Sequence, residues 1–198
     1  MEGLNRIRSE RNPGDVDDPI AVFVPLDGFH LSRAQLSDMP DPTTAHARRG
    51  AAFTFDSKSF LNLVRALQEP VTSKCETIYA PSFDHAVKDP VQNDILIRPS
   101  ARIVLFEGNY LSLNQGDWKL AAALMDELWF MEVDFAVARR RLIARHIKAG
   151  IANDETEAAK RADENDLVNG RQIQNAKLAV HETIESVEDS EWLPLRSI

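Results

Sequence analysis

The sequence predicts a doubly wound α/β fold with a mainly parallel sheet. Short, partly β-branched apolar runs, IAVFVPL at 20–26 and RIVLF at 102–106, are typical of buried strands and end in glycine-containing loops. Amphipathic helical stretches separate such runs, most clearly at 56–70. Strands that alternate with helices favour a parallel sheet that binds ligands at the carboxyl ends of its strands.

The chain of 198 residues is long enough to bury one sizeable core. We divide it into a disordered leader at 1–19, which is polar and lacks a hydrophobic signal region, and a single domain at 20–198. The net charge of −8 argues against a general affinity for nucleic acid or an anionic membrane. A single cysteine and the lack of a long apolar run predict a cytoplasmic protein.

In the first half of the chain, the strand at 20–26 ends at Asp27 and Gly28. Asp56 is a predicted N-cap, because Phe60, Leu63, Val64 and Leu67 then share one helical face before Pro70 stops the run. Two short runs, TIYA at 77–80 and DILI at 94–97, flank a polar segment and predict a pair of strands or an excursion above the sheet.

In the second half, the continuous apolar run at 102–106 predicts a strand buried on both faces. A short helix at 117–125 and a strand at 127–133 follow. Asp134 is placed to cap a helix at 135–149 that Gly150 ends. Residues 155–180 are helical in bias with an interruption at 165–170, and 192–195 predicts a last strand.

Two carboxylates stand directly after buried strands, Asp27 in PLDGFH and Glu107 in LFEGNY. In a parallel sheet both would project into the same crevice. Phosphoryl transfer uses such a pair, because one carboxylate can accept the proton of an attacking hydroxyl while another orients magnesium. Taken singly, each is equally well explained as a loop carboxylate or a helix cap.

The predicted helix after Asp134 carries the densest basic cluster of this acidic chain, VARRRLIARH. Arg141 and Arg145 are four residues apart and so share a helical face, where guanidinium groups would suit the oxygens of a phosphoryl group. A solvated basic face that pairs with nearby acids is the alternative. His30, three residues beyond Asp27, is placed to contact a substrate or to serve a structural role.

Six segments in the same order resemble the phosphoribulokinase, uridine kinase and pantothenate kinase family, most closely its uridine-kinase-like branch. They span 22–170 and read DGFHL (27–31), RRGAAFTFD (48–56), YAPSFDHAVKDPV (79–91), FEGNYLSL (106–113), RRRLIARH (139–146) and NDLVNG (165–170). The resemblance implies a P-loop-kinase-like three-layer sandwich and ATP- and Mg²⁺-dependent phosphorylation of a hydroxyl on a small metabolite of the sugar or nucleoside class.

The resemblance also implies residue roles. Asp27 takes the place of the general base, and Glu107 falls near the magnesium ion. Arg141 and Arg145 match arginines that act on the phosphates during catalysis and nucleotide binding. The substrate-side positions are His30, Arg49, Tyr79 and Asp84. Asn165 and Asn169 match a pattern of this branch that we assign to the nucleotide side, although Val168 stands where proline is expected.

One departure from the family is the phosphate-binding loop. None of the eight glycines belongs to a G-x-x-x-x-G-K-[ST] motif, so the first, central strand and its loop are expected to be missing. The chain is then either an incomplete copy of an active kinase, impaired by itself, or a non-catalytic kinase-derived protein that binds a metabolite or partner. Whether the chain itself is an enzyme, which substrate it uses, and whether it forms a homodimer are left open.

Overall fold

A computed structural model describes residues 1–11, 19–72 and 75–187. The chain forms two compact units, the first made of Met1–Asp126 and Asn169–Leu178, the second of Glu127–Val168 and Ala179–Ile198. The predicted strand at 192–195 and most of the second half of the predicted leader lie outside the described residues.

The described residues contain six strands and eight α-helices. The strands are β1 (Ala21–Pro25), β2 (Ile78–Asp84), β3 (Asp89–Ile97), β4 (Ile103–Glu107), β5 (Trp129–Glu132) and β6 (Glu182–Glu185). The helices are α1 (Glu2–Arg11), α2 (Arg33–Ser37), α3 (Pro42–Ala47), α4 (Ser57–Gln68), α5 (Gly116–Ala122), α6 (Phe135–Lys148), α7 (Glu155–Arg161) and α8 (Leu167–Asn175). Short 3₁₀ turns occupy Leu26–Phe29 and Ala52–Thr54, and a π-helical segment joins α7 to α8 at Ala162–Asp166.

The core of the first unit lies between helix α4 and one face of the parallel β1–β4 pair. Val24 and Phe106 are in register on this face, and Phe106 meets Phe60 of α4 edge-on at 5.3 Å between ring centroids. The predicted cap is confirmed, because the Asp56 carboxylate accepts the Ser59 amide at 2.9 Å. Phe60 is fully buried and also packs against Trp118 of α5. This packing fixes the ends of β1 and β4 relative to the core.

The other face of the β1–β4 pair is apolar and exposed. Phe23 is in register with Leu105, and Ile103 lies two residues before Leu105 on the same face. These three side chains are 43–44% exposed. The prediction that β4 is buried on both faces is therefore wrong for the residues that the structure describes, because no described element covers this side.

Strands β2 and β3 form an antiparallel hairpin that is longer than the predicted runs. Most of the polar segment between TIYA and DILI is itself extended, and the turn is confined to 85–88. Lys88 adopts a positive φ of 62° in that turn. The alternation of polar and apolar residues suits a hairpin with solvent-exposed faces, which explains why apolar runs alone underestimate its length.

The segment predicted as a disordered leader begins with a helix, because Glu2–Arg11 forms α1. Asn5 explains how this helix is held, because its side-chain amide donates to the Ala21 carbonyl at 2.9 Å and accepts from the Ala21 amide at 3.1 Å. Ile20 points its carbonyl toward Arg102 and Ile103, so Ala21 points its backbone groups to the opposite edge of β1. The Asn5 side chain thus binds the backbone groups of Ala21 that a further strand would otherwise bind.

The second unit contains a parallel pair, β5–β6, together with α6, α7 and the π-helical segment. Helix α6 begins as predicted, since the Asp134 carboxylate accepts the Ala136 amide at 2.8 Å. Strand β6 was not expected, because ETIE is short and mostly polar. The helical interruption lies at Ala162–Asp166, slightly before the predicted position. Within the part of the chain that the structure describes, no helix is long and apolar enough to span a membrane.

Candidate active site

Asp27 and Glu107 lie at the carboxyl ends of the paired strands. Glu107 is the last residue of β4 and is in register with Pro25 of β1. Asp27 lies two residues after Pro25, in the 3₁₀ turn Leu26–Phe29, and its side chain is 52% exposed. Partial burial of the carboxyl, together with the negative charge of Asp27, raises the pKa of Glu107. The two carboxylates therefore interact at the edge where parallel strands place their ligands.

Two glycines allow close packing around these carboxylates. A Cβ on Gly28 would collide with the carbonyl oxygen of Pro81 in β2. A Cβ on Gly108 would collide with the Leu26 side chain. The turn that carries Asp27 is thus pressed against both the hairpin and the residue that follows Glu107, and a larger side chain at either glycine would separate them.

His30 lies next to Asp27 in an aromatic environment. Its Nε2 is 3.7 Å from Asp27 Oδ1, and its ring stacks on Phe55 with centroids 3.9 Å apart. Phe83 of the hairpin lies 5.3 Å away on a tilted plane. Burial lowers the pKa of His30 to about 4; the Asp27 carboxylate opposes this shift, and the Arg49 guanidinium adds to it. The imidazole is neutral at pH 7, and its Nδ1 is buried.

Arg49 connects the loop after α3 to the hairpin. Its guanidinium donates to the Lys88 carbonyl at 2.6 Å, to the Leu31 carbonyl at 3.0 Å and to Asp89 Oδ1 at 3.0 Å. The same group lies 5.5 Å from the centroid of the Phe83 ring. These contacts hold the hairpin turn near His30. Arg49 therefore has a structural role in addition to its predicted role beside a substrate.

The two predicted substrate-side residues of the hairpin occupy different environments. Tyr79 of β2 is 50% exposed. Asp84 Oδ1 accepts the backbone amides of Ala86 at 2.7 Å and Val87 at 3.0 Å, and these bonds lower the pKa of Asp84. Asp84 therefore stabilises the hairpin turn at 85–88 through its Oδ1 atom.

A cleft of about 330 Å³ opens beside His30 in the first unit. Helix α4, the 3₁₀ turn after β1, and the β2–β3 hairpin form its walls. The lining residues are Gly28, Phe29, His30, Gln35, Asp56, Ser59, Leu63, Ala66, Ile78, Tyr79, Pro81, Gln92 and Asn93. The cleft unites His30 and Tyr79, which the sequence separates by nearly fifty residues.

The predicted arginines lie on α6 in the second unit. Arg141 donates to Ser186 Oγ at 2.8 Å and lines a cavity of about 610 Å³ that also has Arg140 and Glu185 in its wall. Arg139 forms a bidentate pair with Asp163 at 2.7 and 2.9 Å. Arg145 is exposed. The acid that pairs with Arg139 at this distance thus comes from the π-helical segment.

The two predicted asparagines are buried. Asn169 of α8 is 5% exposed, and its Oδ1 accepts a hydrogen bond from Arg48 at 2.7 Å. Asn165 is 4% exposed within the π-helical segment of the second unit. In the same segment Asp166 meets His146 of α6 at 2.9 Å, and His146 is almost fully buried. The structure thus gives Asn169 a partner in the RRG motif that the sequence did not suggest.

The structure brings Asp27, His30 and Glu107 together at the strand ends and places Tyr79 in the adjoining cleft. Sequence reasoning missed the stacking partner Phe55 and the cleft residues Gln92 and Asn93. An asparagine inside a strand-like run is the available signal for Asn93, because asparagine tolerates the left-handed conformation it adopts, with φ of 58°. Across residues 1–11, 19–72 and 75–187, no group of three or more His, Cys, Asp or Glu residues could by itself hold a metal ion.

No protein-family model matches the chain. It is 50% identical over 159 residues to the ATP-dependent kinase-like protein notR′ of Aspergillus versicolor, a match that covers 80% of this chain and 92% of that protein. It is 45% identical over 150 residues to a candidate uridine kinase of Schizosaccharomyces pombe, which covers 76% of this chain and 63% of that protein. The chain thus spans less than two thirds of the length of this second relative.

Two solved structures have a similar fold. The YFH7 protein of Saccharomyces cerevisiae, a candidate P-loop kinase with a circular permutation, superposes with a TM-score of 0.72 at 34% identity, covering 86% of this chain and 59% of that one. A candidate fructose transport system kinase of Silicibacter also gives a TM-score of 0.72, at 31% identity, covering 92% and 82%. On the strength of these relatives and of its α/β fold, the chain belongs to the family of ATP-dependent, uridine-kinase-like P-loop kinases.

Proposed function

We propose that the protein takes part in ATP-dependent phosphorylation of a hydroxyl group on a small metabolite of the sugar or nucleoside class. The observation that supports this most is the exposed Asp27 carboxylate beside a neutral His30 and coupled to Glu107 at the strand ends. The kinase names of several relatives agree with this proposal.

Asp27 is proposed as the general base. Its carboxylate is half exposed, so an acceptor hydroxyl can reach it and pass its proton to Oδ1 or Oδ2. The new O–P bond would form as the bond between the γ-phosphorus of ATP and its bridging oxygen breaks, which releases ADP. His30 contacts Asp27 from the side without contributing a positive charge at pH 7. His30, Arg49, Tyr79 and Asp84 are proposed to orient the acceptor, directly or through the hairpin that Arg49 holds.

Glu107 is proposed to lie near a bound Mg²⁺. Two interacting carboxylates with a raised pKa at Glu107 fit a divalent cation, because Mg²⁺ prefers oxygen ligands and would relieve the repulsion between them. Mg²⁺ supplies neutralisation of phosphate charge when bound. Glu107 would hold the ion directly or through its water ligands, which would leave the Asp27 carboxylate available as the base.

We propose that the chain supplies only part of the nucleotide-binding side of the site. Arg141 and Arg145 are proposed to contact phosphate oxygens, and Asn165 and Asn169 to support the nucleotide side. None of the 198 residues forms a G-x-x-x-x-G-K-[ST] loop, so the residues present do not supply the usual phosphate cradle. We therefore expect this chain alone to catalyse little phosphoryl transfer.

The missing motif also favours a second candidate function. A kinase-derived protein that binds a metabolite or a partner without catalysis would need the acceptor side but no phosphate cradle. The two candidates differ in whether they need a phosphate-binding loop. The kinase needs one, which would have to be encoded outside these 198 residues, whereas the binding protein does not. For either candidate we expect a cytoplasmic protein, and a homodimer is one of the assemblies to be tested.

The deciding experiment measures ADP release with Mg-ATP and a panel of sugars and nucleosides. We expect the 198-residue chain to turn over far more slowly than the roughly 1–100 s⁻¹ typical of kinases. Extension by the upstream coding sequence of the gene, where it encodes a glycine-rich Lys-Ser/Thr loop, should restore turnover. Kinase-level rates from the 198-residue chain would contradict the expected impairment, and an upstream sequence without such a loop would favour the second candidate.

In a restored enzyme, Asp27→Asn should reduce kcat by at least about 100-fold while nucleotide affinity stays within a few-fold. The control is Asp38→Asn, which removes an exposed acid of the same unit at the end of α2. Unchanged turnover in Asp27→Asn would remove Asp27 from the role of base.

A further inference from the structure

The cleft beside His30 owes its shape to a β-bulge in the hairpin. Ala80 pairs with Ile95 and Ser82 with Val91, so one residue of β2 faces three residues of β3 between these pairs. Asn93, in the middle of the three, has a positive φ of 58°. A bulge re-aims side chains that a regular strand would alternate between faces. Here Gln92 and Asn93, adjacent in sequence, both line the cleft.

The walls of the cleft carry neutral hydrogen-bonding groups over an apolar base. Its amides and hydroxyls belong to Gln35, Ser59, Tyr79, Gln92 and Asn93. Its apolar surface comes from Phe29, Leu63, Ala66, Ile78 and Pro81. Such a mixture of apolar area and a few polar groups is typical of a small-molecule site, and about 330 Å³ lies at the lower end of the usual size range.

The cleft has no cationic side chain among its lining residues. Its one acidic residue, Asp56, is engaged in the helix cap, where its two oxygens accept the Ser59 amide at 2.9 Å and the Ser59 hydroxyl at 2.7 Å. His30 is neutral at pH 7, because burial outweighs the effect of Asp27 on its pKa.

Among the charged groups around His30, the negative charge of Asp27 acts on the ring more strongly than the positive charge of Arg49. The Arg49 guanidinium, which lies against Phe83, is ion-paired with Asp89 at 3.0 Å. Asp27 lies 3.7 Å from His30, and Glu107 interacts with Asp27. A phosphate or carboxylate on the acceptor would therefore lose its hydration without gaining a cation from the lining residues, and beside His30 it would lie near the Asp27 carboxylate.

We propose that this cleft selects an uncharged acceptor, binding its hydroxyl or amide groups through Gln92, Asn93 and Tyr79 and discriminating against acceptors that carry a phosphate or carboxylate. The inference rests on the proposed function, since it takes the region of Asp27 and His30 as the acceptor site. It narrows the class to free sugars, polyols or nucleosides, as opposed to sugar phosphates and hydroxy acids.

The first test measures binding to the purified chain without ATP, by calorimetry or ligand-observed NMR. Matched pairs differ by one anionic group, a phosphate or a carboxylate: ribose against ribose 5-phosphate, uridine against uridine 5′-phosphate, and glycerol against glycerate. We expect at least one uncharged member to bind, with its anionic counterpart at least about ten-fold weaker. Equal or tighter binding of the anionic members, or no binding of any member at millimolar concentration, overturns the proposal.

A charge placed in the cleft locates the effect. Gln92→Lys should strengthen binding of ribose 5-phosphate at least about five-fold, because it supplies the missing cation at the bulge. Asn62→Lys adds the same charge to an exposed position of α4 outside the lining set and should leave this affinity unchanged. An equal gain in both variants would show a general charge effect and contradict selection by the cleft.

These measurements separate this inference from the kinase proposal. Selective binding of uncharged acceptors by a chain that no extension makes active would support the cleft and count against the kinase. Conversely, a restored enzyme that prefers ribose 5-phosphate or glycerate as acceptor would support the kinase and overturn the selectivity.

Discussion

At the residue scale, His30 is the side chain whose chemistry the fold alters most. Its ring lies between Phe55 and Phe83, with Asp27, Arg49 and His85 as the charged or titratable neighbours that act on its pKa. Burial dominates these influences and lowers the pKa of His30 to about 4 from an ordinary value of 6.5. A histidine whose pKa is lowered by folding binds fewer protons in the folded chain than in the unfolded chain at pH values near and between the two pKa values.

This shift predicts a pH dependence of stability. As the pH falls from 6.5 to 4, the unfolded chain gains a proton at His30 that the folded chain resists, so the free energy of unfolding falls by up to about 3 kcal/mol. His30→Gln should remove this component. The check is denaturant unfolding of both proteins between pH 4 and 7, where their difference isolates His30 from Glu107. Parallel curves over that range would contradict a neutral, buried His30.

Gly28 illustrates a residue whose role is steric. Gly28→Ala places a Cβ against the carbonyl oxygen of Pro81, so the hairpin must move away from the turn that carries Asp27. We expect the free energy of unfolding to fall by about 1–3 kcal/mol, as for other overpacked sites. Gly3→Ala is the matched control, because a Cβ there meets nothing within 4 Å. Equal stability of the two variants in thermal or urea unfolding would argue against this close approach.

At the scale of elements, the β2–β3 hairpin depends on Arg49 for its position. The guanidinium joins the hairpin turn at Lys88 and Asp89 to the segment after His30 at Leu31. Arg49→Ala should therefore speed amide hydrogen exchange across Asp84–Asp89 and lower stability by about 2 kcal/mol, because it leaves Asp89 without its cation. Arg65→Ala, on the exposed side of α4, is the control. Unchanged exchange in the hairpin would show that Arg49 is not needed to hold it.

Helix α6 is tied to the π-helical segment by a buried contact. His146 is 3% exposed and meets Asp166 at 2.9 Å. His146→Ala leaves a cavity and deprives Asp166 of its partner, so we expect a loss of about 2–4 kcal/mol in the free energy of unfolding. Lys148→Ala, exposed near the end of the same helix, should change stability little. Comparable losses in both variants would contradict a specific role for the pair.

At the scale of the whole molecule, each unit exposes apolar strand residues. In the first unit these are Phe23, Ile103 and Leu105, and in the second they are Trp129 and Met131 of β5. Each of these side chains is at least 43% exposed. In general, an exposed apolar face on paired strands favours association between chains.

The double variant Ile103→Thr/Leu105→Thr should therefore reduce binding of the dye ANS and reduce concentration-dependent association. Threonine is β-branched and so suits a strand at both positions, and the far-UV circular dichroism spectrum should therefore stay the same. Val71→Thr, which changes an exposed apolar residue outside the strands, is the control. Undiminished dye binding in the double variant would show that this face is not the source of association.

Much of the fold follows from local signals. The β1 and β4 runs, the Asp56 and Asp134 caps and the Gly150 stop are near their predicted positions, because capping groups and apolar periodicity act within a few residues. The hairpin length, the short strand β6 and helix α1 were missed or underestimated. These elements depend on partners distant in sequence, such as Asn5 with Ala21, which leave little local pattern.

The sequence by itself determined the family and placed Asp27 and Glu107 at the ends of strands, because strand ends and their polar residues are local features. Only the tertiary structure decided the state of these residues: the charge repulsion between Asp27 and Glu107, the neutral imidazole of His30 and the tie from Arg49 to Asp89. It also decided that the wall of the cleft is built from neutral amides of a bulge. Each of these properties arises from groups brought together across tens of residues, and burial and electrostatics act through space rather than along the chain.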